Sequence, residues 1–98
     1  MSWIVVGSQK GEEIVLTGPG KRDIRGPKGH KIGEAAWVTK RDHATPERSP
    51  KDWWHKYAWI FETEAEAKMA LEILNERIAQ GLCSEINKPE RAWVEEIN

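Results

Sequence analysis

Cations and flat rings are the residues in this chain whose types and spacing suit a binding chemistry. Lys21, Arg22, Arg25, Lys28 and Lys31 crowd one glycine-rich stretch, and Lys40, Arg41, Arg48, Lys51 and Lys56 follow it. Tryptophans lie among and beside them, at Trp37 and at the adjacent pair Trp53-Trp54. Cations neutralise phosphates and rings stack on bases, so the mixture suits single-stranded nucleic acid. The same cations suit an acidic protein surface equally well. Consecutive strand residues point to opposite faces, so at least one of Trp53 and Trp54 is expected to be partly exposed as an anchor. The candidate partner-binding residues are therefore Lys21, Arg22, Arg25, Lys28, Lys31, Arg41, Arg48, Trp53 and Trp54.

Other chemistries find little support in the spacing. Gly18-Pro19-Gly20 lacks the third glycine of a dinucleotide fingerprint, and no P-loop pattern follows it. His30, His43, His55 and Cys83 lack the close spacing of a zinc finger or of an HExxH pair. Cys83 is the only cysteine, which excludes an intramolecular disulfide and a CxxC site. Just beyond a helix end it reads as a small buried residue rather than a nucleophile. Glu95 and Glu96, adjacent in a strand, face opposite ways and make a poor acid/base pair. A non-enzymatic protein with no cofactor and no metal is expected.

The net charge of −1 conceals a segregation of sign. Residues 18–56 hold ten Lys or Arg against five Asp or Glu, giving +5, and residues 57–98 hold four against nine, giving −5. All three histidines lie in the basic middle, whose charge therefore rises further at mildly acidic pH. Either the molecule is a dipole or the two parts neutralise each other, and the sign pattern alone leaves both open.

These groups have to be positioned by one small core, since 98 residues at 39% hydrophobic and 32% charged suit a single globular domain, 1–98. No apolar run approaches the roughly 20 residues that span a bilayer, and the start at Met1–Val6 lacks a basic n-region and a long apolar stretch. A cytoplasmic protein without a membrane partner is expected. Trp3–Val6 and Glu13–Thr17, set about a stretch with two glycines, suit a hairpin. Gly18–Lys31, with Pro19 and Pro27 among its glycines, reads as a loop, as does Lys40–Asp52 with Pro46 and Pro50. Ile32–Thr39 is the weakest strand candidate. His55–Phe61 carries Tyr57, Trp59 and Phe61 on one parity and Ala58 and Ile60 on the other, which predicts a central strand with Trp59 in the core.

Thr63 and Glu66 make a capping box that opens a helix over about 64–80. Ala67, Ala70, Leu71, Leu74 and Ile78 form its apolar stripe, and Gly81 stops it. Leu82–Ile86 and Ala92–Ile97 are short strand candidates. The fold class is α+β, an antiparallel sheet of four or five strands with one amphipathic helix packed on one face.

Trp37-Val38-Thr39, the run Tyr57–Ala67 and Trp93-Val94-Glu95 follow one another in a distinctive order. That order resembles small phage and mobile-element accessory proteins of mostly unassigned function, mainly over residues 53–97. The resemblance implies a compact protein that binds and blocks a host component, including defence machinery. The Gly18–Lys31 loop lies outside the pattern, so nothing housed there is carried over. The expected function is occlusion of a host protein partner through the two loops and the Trp53-Trp54 junction, with Arg22, Arg25, Arg41 and Arg48 as charge anchors. The alternative is a nucleic-acid-binding module built from the same residues. A free sheet edge, or an exposed helix face of Glu62, Glu66, Glu72 and Glu76, also allows a homodimer through the basic segment of a second copy.

Overall fold

Lys10 and Gly11 both take positive φ, 52° and 79°, the two-residue turn whose twist matches the strands it joins. It links β1 (Ser2–Gln9) to β2 (Glu12–Leu16), with Gln9 opposite Glu12. The expected hairpin is present, and its strands run closer to the tip than the glycine spacing suggests. The computed structural model describes residues 1–18, 23–25, 31–34, 37–40, 53–81 and 89–97, with backbone alone at 23–25, 31–34 and Arg77. β3 (Asp23–Arg25) and β4 (Lys31–Glu34) form a two-stranded pair of their own. β5 (Trp37–Thr39) and β6 (Arg91–Ile97) complete a four-stranded antiparallel sheet in the order β5-β2-β1-β6. The single described helix, α1, spans Glu64–Ala79. No described helix is long and apolar enough to cross a membrane.

Two sequence expectations change here. Residues 23–25, expected in a loop, form a strand, and the expected strand Ile32–Thr39 is divided between β4 and β5. The partner of β4 lies only a few residues upstream, and closing a short loop is entropically cheap. The candidate strand Leu82–Ile86 and the loop residues 41–52 lie outside the described residues.

The sheet is covered on both faces, because β1 is apolar on both parities. Val5, with Ile14 and Trp37, packs against Ala67, Phe61 and the α1 side chains Leu71 and Leu74. Ile4 and Val6, with Val15 and Val38, pack against Trp53, Trp54, Tyr57 and Ala58. The cross-strand row Val38–Val15–Val6–Trp93 runs through all four strands on this second face. A sheet apolar on both faces needs two covers, and the chain supplies α1 for one and a 3₁₀ turn, Trp53–Lys56, for the other.

The expected central strand His55–Phe61 is not a strand. After the 3₁₀ turn the chain makes only isolated bridges, Ala58 to Thr17 and Phe61 to Trp3. The Lys40 N–H bonds the Glu13 carbonyl on the β5 side of β2, so backbone alternation turns the Leu16 carbonyl toward β1. That carbonyl accepts from the Trp59 N–H at 2.9 Å, while Phe61 and Trp3 exchange bonds of 2.8 and 2.9 Å. Residues 58–61 thus wedge between the ends of β1 and β2, where the pairing of the two strands stops at Val6 and Val15. The two-parity apolar pattern that suggested a central strand at 55–61 belongs equally to Trp3–Val6, and β1 takes the central place.

Candidate functional site

The wedge leaves an apolar groove between itself and α1. The helix is held at both ends as its sequence predicts. The Thr63 hydroxyl accepts from the Glu66 N–H at 3.2 Å, and Gly81, at φ 72°, follows the C-cap Gln80. Glu66 reaches back to the Thr63 hydroxyl, which donates to its carboxylate at 3.1 Å. Ala67, Leu71 and Leu74 turn into the core, and the flank beside them carries Met69 and Ile73, 63% and 48% exposed. Opposite, Trp59 and Phe61 stand with ring centroids 4.9 Å apart and planes tilted by 31°. Leu16 forms the floor from β2, and the groove so enclosed holds about 440 Å³. Among the described residues that line it, Glu66 is the one that carries a charge.

Trp59 is 39% exposed, whereas its strand parity places it in the core. The reason is the wedge: with no described strand on its outer side, the residue 59 N–H bonds to the end of β2 and the ring lies over the helix flank. The groove was therefore missed by sequence reasoning. One signal could have found it: Met69 and Ile73 lie four apart and off the Ala67, Ala70, Leu71, Leu74 stripe, so one packing face does not account for both.

Among the expected partner-binding residues, Trp53 and Trp54 are buried, at 5% and 7% exposure. Neither is the partly exposed anchor that strand geometry requires. In a 3₁₀ turn successive side chains do not oppose each other, and both rings lie on the same face of the sheet. Trp53 donates its indole N–H to the Lys40 carbonyl at 3.1 Å and meets Tyr57 edge-on at 5.7 Å. Arg25 and Lys31 are backbone partners across the β3–β4 pair. Lys21, Arg22, Lys28, Arg41 and Arg48 lie outside the described residues, as do His30, His43 and Cys83. Among the described residues no three His, Cys, Asp or Glu side chains are grouped to hold a metal ion.

Lys40, counted above with the basic middle, is taken up by the fold. Its ammonium lies 2.7 Å from Glu13 and 3.3 Å from Glu95, and 5.7 Å from the Trp54 ring centroid. Partial burial pulls its pKa down, but the Glu13 hydrogen bond and the Glu95 charge outweigh that and raise it above lysine's ordinary 10.5. A folded-state pKa above the unfolded one stabilises below the unfolded value and is lost as pH rises through the folded value. Lys40→Met should therefore cost about 1 kcal/mol at neutral pH, the carboxylates being partly solvated. As pH is raised from neutrality, the gap to wild type in urea titrations should close only in strongly alkaline solution. A gap that closes near neutrality would show that another group is responsible.

The chain has no significant match among protein-family models, curated proteins or solved structures.

Proposed function

We propose that this protein is a small non-enzymatic binding protein that occludes the surface of a protein partner, and that the groove between α1 and Trp59 makes the contact. The observation that carries this reading is the exposure of Met69 and Ile73 beside the Trp59 ring. Covering a side chain of that size fully is favourable by about 1.5–3 kcal/mol. A helix capped at both ends and a sheet packed on both faces form a support that loses little freedom on binding. If residues 53–97 belong with the phage and mobile-element proteins whose motif order they resemble, the target is a host component, defence machinery included. A nucleic-acid role has less behind it, because the rings at 53 and 54 are in the core and Lys40 is ion-paired.

The test is retention from a nuclease-treated host lysate by wild type and by Met69→Lys/Ile73→Lys. Both positions are exposed, so the variant should fold as wild type does. A protein held by wild type should bind the variant about tenfold more weakly or worse. Equal retention by both, or loss of retention on nuclease treatment, would overturn the reading.

A further inference from the structure

We propose that the occupant of the groove is an amphipathic helix of a foreign protein, with Lys or Arg flanking its apolar stripe. This rests on the binding reading above and names the partner's chemistry.

The first argument concerns backbone. A peptide that adds as a strand needs free N–H and C=O groups along an edge. Of the four backbone groups on Trp59 and Phe61, whose rings form the groove's wall, three are taken: the Trp59 N–H is bonded to the Leu16 carbonyl, and Phe61 exchanges both its groups with Trp3. What the groove offers is side chains, which is how a helix docks. The second argument is length. Its α1 lining runs from Glu66 to Leu74, eight rises or about 12 Å, which is two turns and room for anchors at i, i+3 or i+4, and i+7.

The third argument is charge. At about 100° per residue, positions 66, 69, 73 and 76 follow one ridge of α1, and Glu62 stands just before the N-cap Thr63. Met69 and Ile73 are thus bracketed on the ridge by Glu66 and Glu76, with Glu62 adding a carboxylate ahead of the cap, and all three are exposed. Among the described residues Glu62 and Glu76 have no ion-pair partner, whereas Lys68, on the far flank of the helix, is held by Glu64 at 2.7 Å. An apolar strip between carboxylates selects a basic amphipathic segment. A second copy of this chain does not supply one. Its α1 carries the same carboxylates, and its basic part is broken by Pro19, Pro27, Pro46 and Pro50.

The probe is a fluorescein-labelled peptide of leucine and lysine, about 18 residues long so that helix can form, with leucines at the helical spacing above. Its twin has glutamate for every lysine. Anisotropy titrations use the full chain, with sedimentation of the protein alone. Wild type should bind the lysine peptide at least about tenfold more tightly than its twin near ~0.15 M salt. Glu62→Lys/Glu76→Lys, which spares the Thr63–Glu66 cap, should lose or reverse that preference, and Ile73→Lys should weaken both peptides. Equal binding of the two peptides would overturn the charge selection while leaving the groove a binding site. Binding of neither, or binding insensitive to Ile73→Lys, would overturn the helix as occupant, with lysate retention still testing the broader reading. Dimerisation weakened by Ile73→Lys would make the occupant a second copy and overturn the proposal.

Discussion

Trp53→Ala is expected to destabilise the fold by about 3–5 kcal/mol, the range for removing a buried aromatic ring. Against a total stability of about 5–15 kcal/mol for a domain of this kind, that is a large fraction. The ring is 5% exposed, belongs to the cluster of Ile4, Val6, Val15 and Val38, touches Tyr57 edge-on and donates to the Lys40 carbonyl. Its loss opens a cavity beneath the 3₁₀ turn and leaves that carbonyl short of a donor. Urea denaturation followed by far-ultraviolet circular dichroism measures the change. A surface anchor would give the contrary result, a shift within about 0.5 kcal/mol together with lost binding. That result would detach residues 53–56 from the sheet.

Gly7→Val is expected to destabilise by about 1–3 kcal/mol or more through overpacking. The effect is opposite in sign to strand propensity, which favours valine over glycine by up to about 1 kcal/mol. Gly7 sits in the middle of β1, opposite Ile14 on one side and Ala92 on the other. A Cβ added there would lie 2.9 Å from the Pro89 Cβ, 3.2 Å from the Arg91 carbonyl oxygen and 3.3 Å from the Ile14 side chain. The first two are a rigid ring and backbone, so they cannot swing aside. Gly7 is the space through which the chain at Pro89 enters β6, anchored by the Glu90 N–H on the Ser8 carbonyl at 2.8 Å. Gly7→Ala, which adds only the clashing carbon, should already lower the thermal midpoint. A rise with either variant would mean that the approach of Pro89 to β1 is looser than these distances.

Local chemistry was legible in the sequence. The Thr63–Glu66 cap, the Ala67–Leu74 stripe and the Gly81 stop all act within a few residues of one another, and α1 begins and ends where they place it. The hairpin of β1 and β2 and the strand character of residues 92–97 rest on equally local signals. The α+β class follows from them, since one amphipathic helix and several short strands have few ways to bury their apolar sides.

What the tertiary structure alone decided is which apolar segment takes which place. Trp53-Trp54 and Tyr57–Phe61 carry enough apolar side chains for a strand, and nothing within the segment chooses between pairing as a strand and capping a sheet face. The choice was made at a distance, by β1, whose two apolar parities demand a cover on each side while α1 provides only one. The 3₁₀ turn became the second cover and buried the two rings best suited to exposure. The wedge behind it turned Trp59 outward over Met69 and Ile73. Charge followed the same rule, as Lys40 finds Glu13 and Glu95 only because β2, β5 and β6 share one sheet. Sequence determined the elements because their signals are short-range. The groove depends on contacts between residues far apart in the chain, and only the fold brings them together.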